Sequence, residues 1–404
     1  MDRPDWDTFK FFEEPALGVG GSNDIIWKNN RRFTLRQLRD LGMGKSKLVA
    51  AVQNQATTLV QELKKQAGEA KPFPHALHVT VVNVIWQMVG GQQFSLTDPK
   101  LTEFEGLSND FVSNLTLAAV PDFLPWIKYI LPNSLLRHLF KYNSLEKCKK
   151  EFLEFFSKEI EEHRATLDRD NPRDLIDGYL IEMEQKKDDP ASTCSERDLG
   201  ILLIDLFIAG SETTVSTLKW LFHYLATYPE VQRKLQAEID DVLPKGTLAT
   251  LNDKIRLPYT EAVLHEILRK SSLANIGSQH VAARDTQLGG YNIPKGAVIN
   301  SAAVTMHHDP RHWDLPNDFL PERWLDDQSK FTSKKEGFLP FGVGKRVCPG
   351  ESLARMELLI FSTTVLQSLS FSHPPDREVD LRHEPNNPFI HLPRPQDIFI
   401  TVRP

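Results

Sequence analysis

The sequence predicts a mainly α protein with a small β portion. Three observations carry this. Apolar residues recur at helical spacing through most of the first two thirds of the 404-residue chain. Residues 196–227 read as one helix of about 30 residues, ~45 Å long at ~1.5 Å per residue. Beyond Ser271, short β-like runs and Gly/Pro turns replace the helical pattern.

The first helical stretch runs from about Ile25 to Ala67, with Gly42 and Gly44 interrupting it. Others follow at roughly 75–90, 101–117, 134–166 and 173–186. Leu115 to Pro132 carries Asp122, Lys128 and three prolines, so it reads as a surface-seeking amphipathic loop-and-helix and not as a span. Segment 186–195 is polar and broken by Pro190, a loop. Ser195 then stands at an N-cap, with Asp198 in the capping-box position. The apolar run Leu199–Ala209 sends this helix through the middle of a core, and Pro229 ends it. Glu230–Leu243 and Tyr259–Lys270 are helical. Segment 280–304 holds short strands around a Gly-Gly and a Pro-Lys-Gly turn. A last helix, about Glu351–Leu369, precedes a β-like tail ending at Val402. With no repeat and no Gly/Ser or charged linker, one domain over 1–404 is expected.

Hydrophobic residues are 40% and charged residues 25% of the chain, which excludes a disordered tail and a multi-span membrane protein. The net charge of −6 argues against general nucleic-acid binding. Cys148, Cys194 and Cys348 are too few and scattered for a disulfide framework. The start, MDRPDWDTFKFFEE, lacks the apolar core of a secretory signal.

Several short matches are decoys. HEILR at 265–269 has Arg269 where a zinc protease has its second histidine. GVGKR at 342–346 lacks the upstream glycine and the Ser/Thr of a phosphate loop. Gly18, Gly20 and Gly21 follow no clear strand. His307-His308 before Asp309-Pro310 reads as a turn or a satisfied surface pair.

The informative stretch is FLPFGVGKRVCPGESLARME, 338–357. Cys348 lies between a glycine-rich loop and a helix start. Gly342 and Gly344 permit tight turns and close approach to a flat ligand. Backbone N–H groups near a helix N-terminus favour a thiolate, and a thiolate in such a cradle suits haem iron.

Here the chain resembles the cytochrome P450 family, the haem-thiolate monooxygenases. Phe341, Gly344, Arg346, Cys348 and Gly350 match its signature F-x-x-G-x-R-x-C-x-G in full. AGSETT at 209–214 resembles the family's oxygen-activation motif. Ala209 and Gly210 would leave room beside haem, and Glu212 with Thr213 would relay protons. Glu266-x-x-Arg269 and Pro321-Glu322-Arg323-Trp324 resemble the family's structural ion network, Glu266, Arg269 and Arg323; Trp324 replaces the more usual Phe. Trp27 and Arg31 match W-x-x-x-R, and with His280, Arg346 and Arg3 would reach the haem propionates.

The resemblance covers essentially the whole chain and is nearest to the animal microsomal family-2-like branch. RRFTLRQLRDLGMGKS at 31–46 and GGYNIPKGAVI at 289–299 both fit it. It implies a P450 fold, with haem b, O2, and electrons from NADPH through NADPH–cytochrome P450 reductase; cytochrome b5 is a second electron donor. It implies a lipophilic substrate (xenobiotic, steroid, fatty acid or terpenoid), contacted by residues 8–20, Phe111, Asp205 to Ala209, Ala274 to Gly277 and Phe389. A basic patch of Lys334, Lys335, Lys345, Arg32, Arg36 and Arg39 would dock an acidic reductase. It also implies a membrane surface as partner and the cytosolic face of the endoplasmic reticulum as location. Family members carry roughly a further quarter of length before this start, so a membrane anchor and first strands are expected to be missing. Two alternatives stand beside this reading: a haem-thiolate isomerase or dehydratase, and a non-catalytic truncated fragment.

Overall fold

The computed structural model describes residues 2–10, 15–41, 46–333, 335–385, 387 and 389–404. Lys334 and the 42–45 interruption therefore lie outside the described residues, as do residues 11–14 of the expected substrate-contact segment.

The longer helices are α1 (Asp24–Asp40), α2 (Ser46–Lys65), α3 (Ala76–Val89), α4 (Pro99–Ala118), α5 (Tyr142–Ala165), α6 (Leu175–Gln185), α7 (Glu196–Thr227), α8 (Pro229–Val242), α9 (Pro258–Ser271) and α10 (Glu351–Ser368). The strands are β1 (Ala70–Lys71), β2 (His280–Val281), β3 (Thr286–Leu288), β4 (Tyr291–Ile293), β5 (Val298–Ile299), β6 (Leu369–Ser372) and β7 (Ile398–Val402). The mainly helical fold class is thus observed, and most boundaries fall within two residues of the sequence reading.

One expected helix differs. The 134–166 stretch is two helices, Asn133–Leu139 and α5, because Lys141 takes a left-handed conformation at φ 59°. An L residue in that region interrupts the helical ladder.

The chain falls into two compact units. The first comprises Met1–Leu41, Ile85–Ala209 and Ser278–Asn300. Its core is aromatic. Phe207 of α7 packs 4.4 Å from Trp86, 5.0 Å from Phe104 and 5.4 Å from Phe156, centroid to centroid. Edge and offset contacts of this kind add about 0.5–1.5 kcal/mol each to simple burial. Two antiparallel pairs, β2–β5 and β3–β4, belong to this unit.

The second unit comprises Gly42–Val84, Gly210–Gly277 and Ser301–Pro404. Here α10 packs on α2, and α8 on α9. The antiparallel sheet β1–β7–β6 closes it, with Phe371 of β6 stacked 4.4 Å from Phe222 of α7.

Helix α7 gives its first half to one unit and its second half to the other. Among the described residues it alone is long and apolar enough to cross a membrane, and most of that stretch is buried, as a core helix requires. Ser195 caps it, its Oγ accepting the Asp198 N–H at 3.0 Å. The Asp198 carboxylate is not the other half of a capping box. It accepts from Gly18, Asn30 and Tyr179 instead.

Candidate functional site

The cysteine loop is built from the backbone upward. Gly342 and Gly344 both stand at φ +74°, where an L side chain is strained. The Cys348 N–H donates to the Phe341 carbonyl at 2.9 Å, closing the loop before α10 begins at Glu351. Cys348 is the exposed cysteine of the three; Cys148 is buried and Cys194 half-buried. A Cβ placed on Gly342 or Gly344 would meet nothing within 4 Å. An exposed sulfur at a helix start, beside a backbone stripped of side chains, fits a flat group ligated through sulfur.

Behind the loop a relay of side chains fixes it. The Phe341 ring lies 4.9 Å under the Arg355 guanidinium. Arg355 is held by Glu351 at 2.9 Å and by His265 Nε2 at 2.8 Å. His265 Nδ1 reaches the Glu261 carbonyl at 2.8 Å. Burial, with the nearby Arg355 charge, pushes His265 down to about 3, so it is neutral and Nε2 accepts. His307 acts similarly. It is fully buried, not the surface residue its sequence suggested. Its Nε2 accepts the Leu339 N–H at 2.9 Å, and its Nδ1 faces Ser272 Oγ at 2.9 Å. Burial, then Arg269, pushes it down to about 3.

Glu266, Arg269 and Arg323 meet in the structure. Glu266 and Arg269 are wholly buried and Arg323 nearly so. Glu266 Oε1 accepts from Arg269 Nη2 at 2.7 Å, the Leu320 N–H at 3.0 Å and Arg323 Nε at 3.2 Å. Its Oε2 accepts from Arg269 Nε and from Trp324 Nε1, both at 2.9 Å. Trp324 is therefore more than a tolerated aromatic exchange: its indole N–H is one of five donors on this carboxylate. Burial alone would raise the Glu266 carboxyl; the Arg269 guanidinium, the Leu320 amide and Arg323 outweigh it and hold it below its usual range.

In mid-α7 the core pattern opens. Ala209 is exposed, and Gly210, Glu212 and Thr213 are half-buried, in a stretch between the buried runs 201–204 and 214–218. The helix is continuous here, with Thr217 Oγ1 donating to the Thr213 carbonyl at 2.8 Å. Glu212 Oε1 accepts from Ser216 at 3.4 Å, and His78 Nε2 stands 3.7 Å from its Oε2. Next to them, Thr214 Oγ1 donates to Glu357 Oε2 at 3.2 Å. Burial pushes the Glu357 carboxyl up to about 8, so it is protonated near neutrality. His78 and Glu357 escaped the sequence reading. Glu357 left one signal, a lone acid in the apolar face of α10.

The first unit holds Trp27, Arg31, His280 and Arg3. Trp27 and Arg31 stack one turn apart on α1, guanidinium to ring 6.0 Å. His280 opens β2 opposite Ile299. Arg3 is buried and donates to the Gly20 and Gln279 carbonyls, both at 2.9 Å. Of the expected basic patch, Arg36 pairs with Glu182 and Arg39 stands 3.9 Å from Asp40, while Lys345 is exposed. Of the expected substrate contacts, Phe111 is buried against Phe152, and the Asp205 carboxylate is occupied by two backbone amides.

The family model described as Cytochrome P450 matches residues 12–400. The chain belongs to the cytochrome P450 family. It is 43% identical over 405 residues to Cytochrome P450 2L1 of Panulirus argus, covering all of this chain and 82% of that one. It is 37% identical to Cytochrome P450 2B4 of Oryctolagus cuniculus (91% and 74% covered) and 36% identical to Cytochrome P450 2J2 of Homo sapiens (90% and 71%). The enzyme class is that of a cytochrome P450 monooxygenase, and the family's cofactor is haem iron.

Proposed function

We propose that this P450 hydroxylates a lipophilic small molecule using O2 and electrons from NADPH passed by a reductase, NADPH–cytochrome P450 reductase or, for one electron, cytochrome b5. The observation that carries this reading is the closed Cys348 loop with its exposed sulfur at the start of α10. Haem held there would supply one-electron and dioxygen chemistry, pushed by a thiolate ligand.

The chain's own residues have these parts. Cys348 would hold the haem iron through sulfur. Gly342, Gly344 and Gly350 keep side chains off the cofactor face, and Phe341 with Arg355 braces the loop. Trp27, Arg31, His280 and Arg346 would hold the propionates by charge-assisted hydrogen bonds. Ala209 and Gly210 leave space. Glu212 and Thr213 would pass protons through water, Glu212 by its carboxyl group and Thr213 by its hydroxyl, with Ser216 and His78 steadying Glu212. Glu266, Arg269 and Arg323 keep the loop folded. Arg32, Arg39, Lys335 and Lys345 offer cations to an acidic reductase.

We further propose that the chain works at the cytosolic face of the endoplasmic reticulum membrane. Leu124, Trp126, Tyr129, Ile130, Leu135 and Leu139 support this: all are exposed apolar groups in one stretch, Tyr129 at 89%. Trp and Tyr suit the lipid–water interface.

Reconstitution with reductase, NADPH and a panel of lipophilic compounds tests the activity. NADPH-dependent oxygenated product supports it. Rearrangement or dehydration of a hydroperoxide without NADPH would replace it with the isomerase or dehydratase reading.

A further inference from the structure

Two aspartates on the first half of α7 grip one turn near the N-terminus. Asp205 Oδ2 accepts the Val19 N–H at 2.7 Å and the Gly20 N–H at 2.8 Å. Asp198 Oδ1 accepts the Gly18 N–H and Asn30 Nδ2, both at 2.9 Å, and its Oδ2 accepts the Tyr179 hydroxyl at 2.6 Å. Seven residues apart, the two carboxylates share a helix face.

The turn is shaped to receive them. Gly18 stands at φ +71°, and a Cβ there would lie 2.3 Å from Asp205 Oδ2. A Cβ on Gly20 would lie 3.0 Å from Asp205 Oδ1. Asn30 Nδ2 and Ser22 Oγ donate to the Gly18 carbonyl, and Arg3 Nε to that of Gly20. Removal from water pushes the Asp205 carboxyl up to about 6, while the Gly20 and Val19 amides work the other way and favour its ionised form.

The clamp reaches past the turn into α1. Asn30 lies on that helix and bonds both Gly18 and Asp198. At about 100° per residue, Trp27 and Arg31 point within about 40° of each other and about 60–100° round from Asn30. Fixing Asn30 therefore fixes the direction of both.

We propose that Asp198 and Asp205 are positioning residues that clamp the Gly18–Gly20 turn and set the rotation of α1, so that Trp27 and Arg31 retain the haem. This rests on the reading of α1 as the propionate-binding helix. It also assigns Asp205 to the backbone and not to a cationic substrate.

The test is haem loss from the purified, haem-loaded full chain to excess apomyoglobin. Asp205→Ala and Asp198→Ala should lose haem about tenfold faster than wild type. Asp205→Asn, whose amide oxygen still accepts both N–H groups, should stay within about threefold. His163→Gln alters a different buried pair of the same unit, His163 with Asp174 at 3.0 Å. It should lower the melting temperature without speeding haem loss. Gly18→Ala should cost less in the Asp205→Ala background than alone, because the clash with the Asp205 carboxylate is gone and only that with Ile201 is left. Haem loss at the wild-type rate in both alanine variants, with Arg31→Ala still accelerated, would overturn the clamp. So would acceleration no greater than in His163→Gln at equal thermal destabilisation, or strict additivity with Gly18→Ala. Wild-type loss in Trp27→Phe and Arg31→Ala would instead overturn the reading of α1, and the clamp's purpose with it.

Discussion

Replacing Glu266 by alanine should unfold the cysteine-loop unit, not merely slow turnover. The carboxylate accepts five hydrogen bonds, from Arg269 twice, Arg323, Trp324 and the Leu320 amide. Removing it strands two guanidiniums, one fully buried and the other 7% exposed. Breaking such a network by losing one partner costs about 3–5 kcal/mol. That shifts the folding equilibrium roughly a hundred- to several-thousandfold, against a total stability of only about 5–15 kcal/mol. Glutamine should rescue little. Its amide oxygen can serve three donors, but its NH2 then faces Arg269 Nε and Trp324 Nε1, donor against donor. The pH dependence follows from the depressed Glu266 carboxyl. Its stabilisation is complete above the unfolded value of about 4.3 and is lost as pH falls through the lower folded value. Soluble yield, haem content and urea midpoints for wild type, Glu266→Ala and Glu266→Gln measure this. Wild-type haem content and a midpoint shift worth under about 1 kcal/mol in Glu266→Ala would refute the reasoning.

Trp324→Phe keeps the ring and deletes one charge-assisted bond, so it should cost about 1.5–3 kcal/mol in urea unfolding and leave haem ligation intact. Glu357→Gln should abolish a loss of stability that wild type shows as pH rises from the unfolded value of about 4.3 to the folded value of about 8, because the folded carboxyl is raised and its ionised form is penalised by burial; denaturation midpoints between about pH 5 and 9 report it. Thr213→Ala should retain haem but uncouple NADPH consumption from product and release peroxide; unchanged coupling removes Thr213 from the proton path. Tyr129→Ser with Ile130→Ser should weaken sedimentation with phosphatidylcholine/phosphatidylserine vesicles; equal sedimentation would move the membrane contact elsewhere.

Contiguous features were legible in the sequence. The run 338–357 carries loop, cysteine and helix start together, and α7 shows its Ser195 cap and apolar core directly. What escaped depends on partners far along the chain. Asp198 looked like half of a capping box because its true partners, Gly18 and Asn30, lie 180 and 168 residues away. Trp324 looked like an aromatic exchange because its acceptor, Glu266, lies 58 residues back. His307 looked like a surface turn until Leu339 and Ser272 were seen against it. Lys141 carries no composition cue for its left-handed turn, so two helices read as one.

The reduced, carbon-monoxide difference spectrum of the haem-loaded chain, beside that of Cys348→Ser, tests the central claim most directly. A strongly red-shifted Soret band in wild type that is lost in the variant is the expected result. A band at the ordinary histidine-haem position in wild type, or one unchanged by Cys348→Ser, would contradict it.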